Sequence, residues 1–107
     1  MSYNYRKPQD VVSPKSRIKG TPQVIYDGKD GEYPFSIAII NWDGNKAYGI
    51  RWNVSDSEWD NPEKMIGGTK QCVGNPQSRG NSTWFIVPDI LFNPTNPVMQ
   101  EILKKIK

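Results

Sequence analysis

The chain contains no histidine and a single cysteine, Cys72, among its 107 residues. Histidine is the commonest general base and metal ligand, so serine–histidine and cysteine–histidine nucleophiles and histidine zinc sites are excluded. One cysteine can form neither an internal disulfide nor a cysteine-rich metal site. We therefore expect no cofactor and no metal. The absence of a recognisable catalytic motif favours a non-enzymatic role, although it leaves the question of an enzyme open.

Long apolar runs are also missing. No stretch approaches the roughly 20 residues of a membrane-spanning helix, and Met1 is not followed by the pattern of a secretory signal peptide. With the single cysteine, these features favour a cytoplasmic protein without a membrane partner. The net charge of +3 is mildly basic, which permits binding to a nucleic acid or another polyanion without requiring it.

Aromatic residues are plentiful, with four Trp, five Tyr and three Phe, although the hydrophobic share is only 36%. This composition and the length predict one β-rich domain over residues 1–107. Its clearest feature is a hairpin of residues 35–42 and 46–54, with Asp43-Gly44 or Gly44-Asn45 as its turn. With Asp43-Gly44 as the turn, the expected pairs are Phe35 with Trp52, Ile37 with Ile50, and Ile39 with Tyr48. With either turn these side chains share one face, which we assign to the core. The other face is small and polar, with Ser36, Ala38, Gly49, Arg51 and Asn53.

The run from Trp84 to Val87 is apolar at every position, which predicts a central strand covered on both faces. Residues 97–106 are predicted to form a helix that covers the second face. Asn96 suits the N-cap and Pro97 the first helical position. The apolar stripe of this helix comprises Val98, Met99, Ile102, Leu103 and Ile106. The expected fold is α+β and mainly β, an antiparallel twisted sheet or small partly closed barrel with the C-terminal helix packed on it.

Polar side chains near the start of this strand form a candidate ligand-binding site. If the hairpin and the turn before the strand are neighbours, two guanidinium groups, an amide and hydroxyls can bind an anion or phosphate. The alternative, which we favour for a small domain, is a structural cluster with Arg51 paired to Asp56 or Glu58. The candidate residues are Arg51, Asn53, Ser78, Arg79 and Thr83.

Residues 1–20 are basic and can form a flexible arm, with residues 1–7 mobile, or a strap that docks on the domain. As an arm, the segment would bind nucleic acid by charge and by stacking of bases on its tyrosines. A toxin-like ribonuclease, by analogy with other small basic nucleases, would add Arg51 and Arg79. The nucleic-acid-binding candidates are Tyr3, Tyr5, Arg6, Lys7, Lys15, Arg17 and Lys19.

Three segments carry a resemblance, the first being Asp-Val-Val-Ser-Pro-Lys at 10–15 near the N-terminus. Gly-Ile-Arg-Trp-Asn at 49–53, with Pro-x-Ser-Arg-Gly-x-x-Thr-Trp-Phe-x-x-Pro at 76–88, is similar to a group of small uncharacterised bacterial single-domain proteins. The likeness spans about residues 8–91. It implies no activity, but it implies that residues 8–20 belong to the domain.

The leading hypothesis is a non-enzymatic binding or interaction module that is a monomer or weak homodimer. Its partner would be a protein or an anionic ligand. The alternative is a nucleic-acid-acting protein, either a binder or a toxin-like ribonuclease.

Overall fold

The computed structural model describes residues 3–106. Its strands form one open antiparallel sheet in the order β1-β2-β3-β6 and a separate small hairpin, β4-β5. The predicted mainly β fold with a C-terminal helix is confirmed, and the sheet does not close into a barrel. The elements are β1 (Ile18–Asp27), β2 (Phe35–Trp42), β3 (Asn45–Trp52), β4 (Gln77–Ser78), β5 (Asn81–Ser82), β6 (Phe85–Val87) and α1 (Pro97–Lys105), with 3₁₀ turns at Pro8–Asp10, Asp56–Glu58 and Asp89–Phe92.

The β2–β3 hairpin has the predicted turn and register. Asp43 and Gly44 both have positive φ, of 54° and 90°, as a type I′ turn requires. The cross-strand pairs are Phe35 with Trp52, Ile37 with Ile50, and Ile39 with Tyr48.

The core lies on the opposite face of the hairpin from the one predicted. Ser36, Ala38, Gly49, Arg51 and Asn53 are all buried, whereas the face with the large apolar side chains is half-buried to exposed. The small, polar face is the buried one because loops and the N-terminal segment cover it. Loops and the N-terminal segment bring backbone close to the sheet, and that backbone needs small neighbours and polar partners. Large apolar side chains would have provided neither.

Gly49 shows how tight this packing is. A Cβ built at position 49 would lie 2.6 Å from Cδ1 of Ile40 and 3.0 Å from Cε3 of Trp84. Trp84 therefore packs directly over the backbone of β3. The main apolar cluster joins Val11, Ile18, Ala38, Ile40 and Trp84.

The predicted central strand is at the edge of the sheet. β6 pairs with β3 alone, through Tyr48 with Val87, Gly49 with Ile86, and Ile50 with Phe85. Trp84 and Val87 are buried, but Phe85 is 61% exposed. The prediction of cover on both faces was wrong at Phe85, which is exposed, although Val87 on the same side of the strand is buried.

The C-terminal helix begins at the predicted cap, where the side chain of Asn96 accepts a hydrogen bond of 2.9 Å from the backbone N–H of Val98. It does not pack on the sheet as predicted, since none of its described residues is buried. It lies against the Asp89–Phe92 turn. No helix in residues 3–106 has the length and apolar character needed to cross a membrane.

Residues 3–17, which we call the N-terminal strap, dock on the domain; Met1 and Ser2 lie outside the described residues. Val11 is fully buried, and the indole N–H of Trp84 donates to its carbonyl at 2.8 Å. Tyr3 belongs to a second apolar cluster with Val54 and Cys72. The strap therefore covers the small, polar face of the sheet and connects the two clusters.

Candidate binding site

Arg51 is buried inside the domain and acts as a structural clamp. Its side chain is 3% exposed, and its guanidinium donates to the carbonyl oxygens of Val73, Pro76 and Thr83. Burial lowers the pKa of Arg51 to about 10, so the group remains charged at neutral pH. The structure thus brings Arg51 and Thr83 together as predicted. Arg51 bonds to the backbone carbonyl of Thr83, and this contact uses the guanidinium donors that an anion would need.

The alternative pairing of Arg51 with an acidic residue is also absent, because no ion pair of Arg51 occurs among residues 3–106. Asp56 is exposed. Glu58 is close enough to act on the charge of Arg51 through space, but its oxygens bond to other groups. The structural interpretation of Arg51 is therefore correct in kind, with backbone carbonyls as partners.

Asn53 belongs to a different buried network at the end of the sheet. Its amide donates to the Lys29 carbonyl at 2.9 Å and to Asp27 Oδ1 at 3.2 Å, and its Oδ1 accepts from the Ser36 hydroxyl at 2.8 Å. Asp27 also accepts from the Tyr5 hydroxyl at 3.2 Å. Burial, and next the Asp27 carboxylate, raise the pKa of Tyr5 to about 12. These polar groups satisfy one another and leave no free ligand-binding surface at Asn53.

Ser78 and Arg79 lie at the exposed tip of the β4–β5 hairpin. The turn residues Arg79 and Gly80 have φ of 52° and 78°, again the type I′ geometry. Ser78 and Arg79 are solvent-exposed, whereas Arg51 is enclosed. The five candidate residues therefore do not form one pocket: Arg51 and Thr83 meet, and Asn53 lies in its own network.

The basic residues of the strap are distributed over the surface, and its tyrosines are occupied. Tyr3 is buried, its hydroxyl accepts from the Asp60 N–H at 2.7 Å, and its ring packs edge-on against Trp59. Tyr5 is half-buried. The remaining contacts are Arg6 to Gln71 at 3.3 Å, Arg17 to Asp43, and Lys19 to the Ser16 carbonyl at 3.1 Å, while Lys7 and Lys15 are exposed.

Glu58, which the sequence offered as a partner of Arg51, is a buried anchor. Its carboxylate accepts from the backbone N–H groups of Ser55, Val73 and Gly74 at 2.7–3.0 Å and from Lys64 Nζ at 3.1 Å. Burial acts to raise the pKa of Glu58, but these hydrogen bonds outweigh it and lower the pKa to about 2. A Ser-x-x-Glu capping box from Ser55 to Glu58 was the signal that could have indicated this role.

Cys72 has the surroundings of a structural residue and not of a reactive thiol. It is buried and free, and burial, followed by the nearby Glu58 carboxylate, raises the pKa of its thiol to about 11. A thiol with this pKa is almost entirely protonated at neutral pH and is a poor nucleophile.

The remaining candidate is the open face of the sheet, defined by Tyr26, Phe35, Ile37, Ile39, Tyr48, Ile50, Trp52 and Phe85. Three aromatic rings cross it from β1 to β3, with centroid distances of 4.9 Å from Tyr26 to Phe35 and 6.0 Å from Phe35 to Trp52. Trp52 is 53% exposed. At the far end, the ring of Phe92 covers Tyr48 at 5.1 Å. Away from this contact, Trp52 and Phe85 remain more than half exposed.

A groove of about 470 Å³ runs along this face between Trp52 and Phe85, with Phe35, Ile50 and Pro76 also in its walls. Its lining is almost wholly apolar, so it suits a hydrophobic side chain or ring and does not offer the donors that an anion needs. A contiguous apolar surface of this kind is typical of a protein interaction site. The sequence identified the hairpin residues of this face, such as Phe35, Ile50 and Trp52, as one face but assigned them to the core, and it did not place Phe85 beside them.

No group of three or more carboxylate or cysteine side chains in residues 3–106 is placed to hold a metal ion. Comparison of the chain with protein-family models, curated proteins and solved structures finds no match. The candidate function therefore depends on the geometry of the open face.

Proposed function

We propose that this protein is a non-enzymatic interaction module that binds a protein partner through the open face of its sheet. The observation that carries the proposal is the exposed aromatic surface of Phe85 and Trp52 beside an apolar groove. Aromatic residues are enriched at the centres of protein interfaces, because they bury a large area at a low cost in conformational entropy.

The exposed part of the open face lies outside both buried apolar clusters, which are covered by the strap and its neighbouring loops. Leaving Trp52 and Phe85 in water gives no gain in stability, whereas burying a comparable side chain contributes about 1.5–3 kcal/mol. A partner that covers the face recovers this free energy.

Nucleic-acid binding by the strap, or a toxin-like ribonuclease activity, has weaker support. The rings of Tyr3 and Tyr5 are used in packing and hydrogen bonding, and Arg17 is paired with Asp43. Arg51 is enclosed by backbone carbonyls, so it cannot contact a phosphate without unfolding the loop around it. We also propose that the protein acts in the cytoplasm, where a single buried thiol stays reduced.

A photo-crosslinking amino acid at position 85 tests the proposal in living cells. We expect a photoreactive residue replacing Phe85 to form a defined set of cross-linked proteins that mass spectrometry can identify. The matched control replaces Lys15, which is exposed on the strap on the other side of the sheet. Products from position 85 and none of them from position 15 support the proposal. No product from position 85, or the same products from both, overturns it.

A further inference from the structure

Within residues 3–106, the C-terminal helix presents a second exposed apolar surface. Val98 and Ile102 on α1, and Ile106 at its C-cap, recur every four residues, and Ile106 is 71% exposed. The less exposed apolar residues, Met99 and Leu103, lie on an adjacent side of the helix. The row of Val98, Ile102 and Ile106 is therefore a three-anchor stripe of the kind that docks in an apolar groove.

We infer that the open face of the sheet binds α1 of a second copy of this chain, in a reciprocal homodimer. This inference rests on the proposed function, because it names the occupant of the same face. Each protomer supplies one groove and one helix, so two identical contacts close around a two-fold axis. No open-ended assembly results.

α1 does not occupy the groove of its own protomer. The segment before the helix is fixed in a hydrogen-bonded turn, where Asn93 Oδ1 accepts from the Thr95 hydroxyl at 2.7 Å and the Asn93 carbonyl accepts from the Asn96 N–H at 3.1 Å. Phe92 anchors that turn on Tyr48 at the edge of the open face. The helix packs against this turn, and no residue of α1 lines the groove between Trp52 and Phe85. The groove is therefore open to the helix of a second copy.

The area is sufficient for a stable dimer. A large aromatic side chain presents 150–250 Å² of surface. The exposed fractions of Tyr26, Trp52 and Phe85 correspond to about one and a half aromatic side chains, or roughly 300 Å². The helix stripe exposes a similar area, so two reciprocal contacts bury roughly 1,200 Å², at the lower end of the standard range of about 1,200–2,000 Å². Either surface counted alone would fall below that range, so the inference requires both.

Charge supports the same arrangement. The last turn of α1 carries Lys104 and Lys105, and neither forms an ion pair within residues 3–106. The depression next to the groove shares Trp52 and Asn75 with it and includes the exposed carboxylate of Asp56, which is also without an ion pair there. A basic helix end next to an acidic rim favours the docked orientation, although an exposed pair adds little affinity.

Light scattering over a range of concentrations tests the inference with two matched pairs of full-length variants. We expect the wild type to dimerise, and Ile102→Glu on the helix stripe and Phe85→Ser on the sheet each to weaken dimerisation at least tenfold. Gln100→Glu, on the polar side of α1, and Lys15→Ser, on the strap, should dimerise like the wild type. Circular dichroism checks that every variant is folded.

Mixing the two defective variants gives the decisive measurement. One protomer keeps an intact groove and the other an intact helix, so the mixture restores one of the two contacts, and we expect more dimer than in either variant alone. A dimer that Phe85→Ser disrupts and Ile102→Glu leaves intact would indicate sheet-to-sheet packing and overturn the inference. A strict monomer would overturn it as well. If that monomer still gives specific cross-links to another protein from position 85, the proposed function survives; without such cross-links, both fail.

Discussion

A buried guanidinium group can be stabilised by hydrogen bonds to backbone carbonyls without an ion pair to a carboxylate. Arg51 does this with Val73, Pro76 and Thr83, whose carbonyls lie in one loop leading to β6. Glu58 does the converse with three backbone N–H groups. Because each charge bonds to main-chain dipoles, the two side chains hold irregular loops that have few strand hydrogen bonds of their own.

Arg51→Lys is expected to destabilise the protein strongly, although it keeps the charge. A single ammonium on a flexible stem cannot reach the acceptors that a planar guanidinium reaches, so one or two carbonyls lose their partner. Each buried unpaired group costs about 1–3 kcal/mol, and we expect a loss of about 2–4 kcal/mol in the free energy of unfolding, measured by urea denaturation. Arg79→Lys, at an exposed turn, should change it by less than about 0.5 kcal/mol. Equal effects of the two substitutions would contradict the clamp.

At the scale of elements, the two type I′ turns differ in how well their residues suit the geometry. Asp43-Gly44 is a favoured sequence for positive φ at both positions, and Arg79-Gly80 is not, since arginine lacks the short polar side chain that tolerates the left-handed region. The β4–β5 hairpin therefore carries a local conformational cost that its loop position makes tolerable.

Arg79→Asn is expected to stabilise the protein by about 0.5–1 kcal/mol, because asparagine adopts the left-handed conformation more readily. The midpoint of thermal unfolding should rise accordingly in calorimetry. Ser78→Asn provides the matched control, since Ser78 is equally exposed in the same hairpin without a positive φ. An unchanged or lower midpoint for Arg79→Asn would mean that the turn does not have this geometry in solution.

Local chemistry allowed the turns, the β2–β3 register and the cap of α1 to be predicted, because each depends on a few neighbouring residues. Asp43-Gly44 determines the hairpin, and Asn96 with Pro97 begins the helix. The choice of buried face could not be predicted in the same way. Hydrophobicity favoured burial of the face with Phe35 and Trp52. The buried face is instead the one that other segments of the chain cover. Which face they cover depends on contacts such as Val11 with Trp84, 73 residues apart.

Only part of the candidate site could be predicted, because the rest depends on contacts between residues distant in the sequence. Arg51 and Thr83 are neighbours because β3 pairs with β6, a pairing that the sequence left open and that the candidate site required. Carbonyl groups of the loop at residues 73–76 fill the space between them. The position of this loop in the fold could not be predicted from its own residues. The open face was recognised as a set of residues but could not be recognised as a site until the position of the strap was known.

At the scale of the whole molecule, two apolar clusters and one polar anchor share the same covering segments. The strap joins the clusters through Tyr3 and Val11, and Glu58 holds the loop beside Cys72 that the strap also contacts. The Arg6 N–H donates to the Cys72 carbonyl at 3.3 Å. With these connections, loss of the Glu58 anchor should destabilise the entire domain and not one loop alone.

The charge of Glu58 predicts a specific dependence of global stability on pH. Its pKa is about 2 in the folded protein and about 4.3 in an unfolded chain, so the folded state holds fewer protons between these values. The contribution of this carboxylate, about 3 kcal/mol, is therefore complete above about pH 5 and is lost as the pH falls through 4 toward 2.

Urea denaturation of the wild type and of Glu58→Gln between pH 7 and pH 2 measures this contribution. We expect the variant to be less stable at pH 7 and the difference to shrink towards pH 2, where most of the stabilisation by the charge has been lost although about half of the folded wild-type molecules still carry it. Glu63→Gln, which removes an exposed ion pair with Lys70 of 3.1 Å, should follow the wild type at every pH. If Glu58→Gln does not fold, the titration of the Glu58 carboxyl carbon, followed by NMR in the wild type, provides the same test. A difference that stays constant from pH 7 to pH 2, or a Glu58 carboxyl that titrates near pH 4.3, would show that the backbone N–H groups do not stabilise its charge.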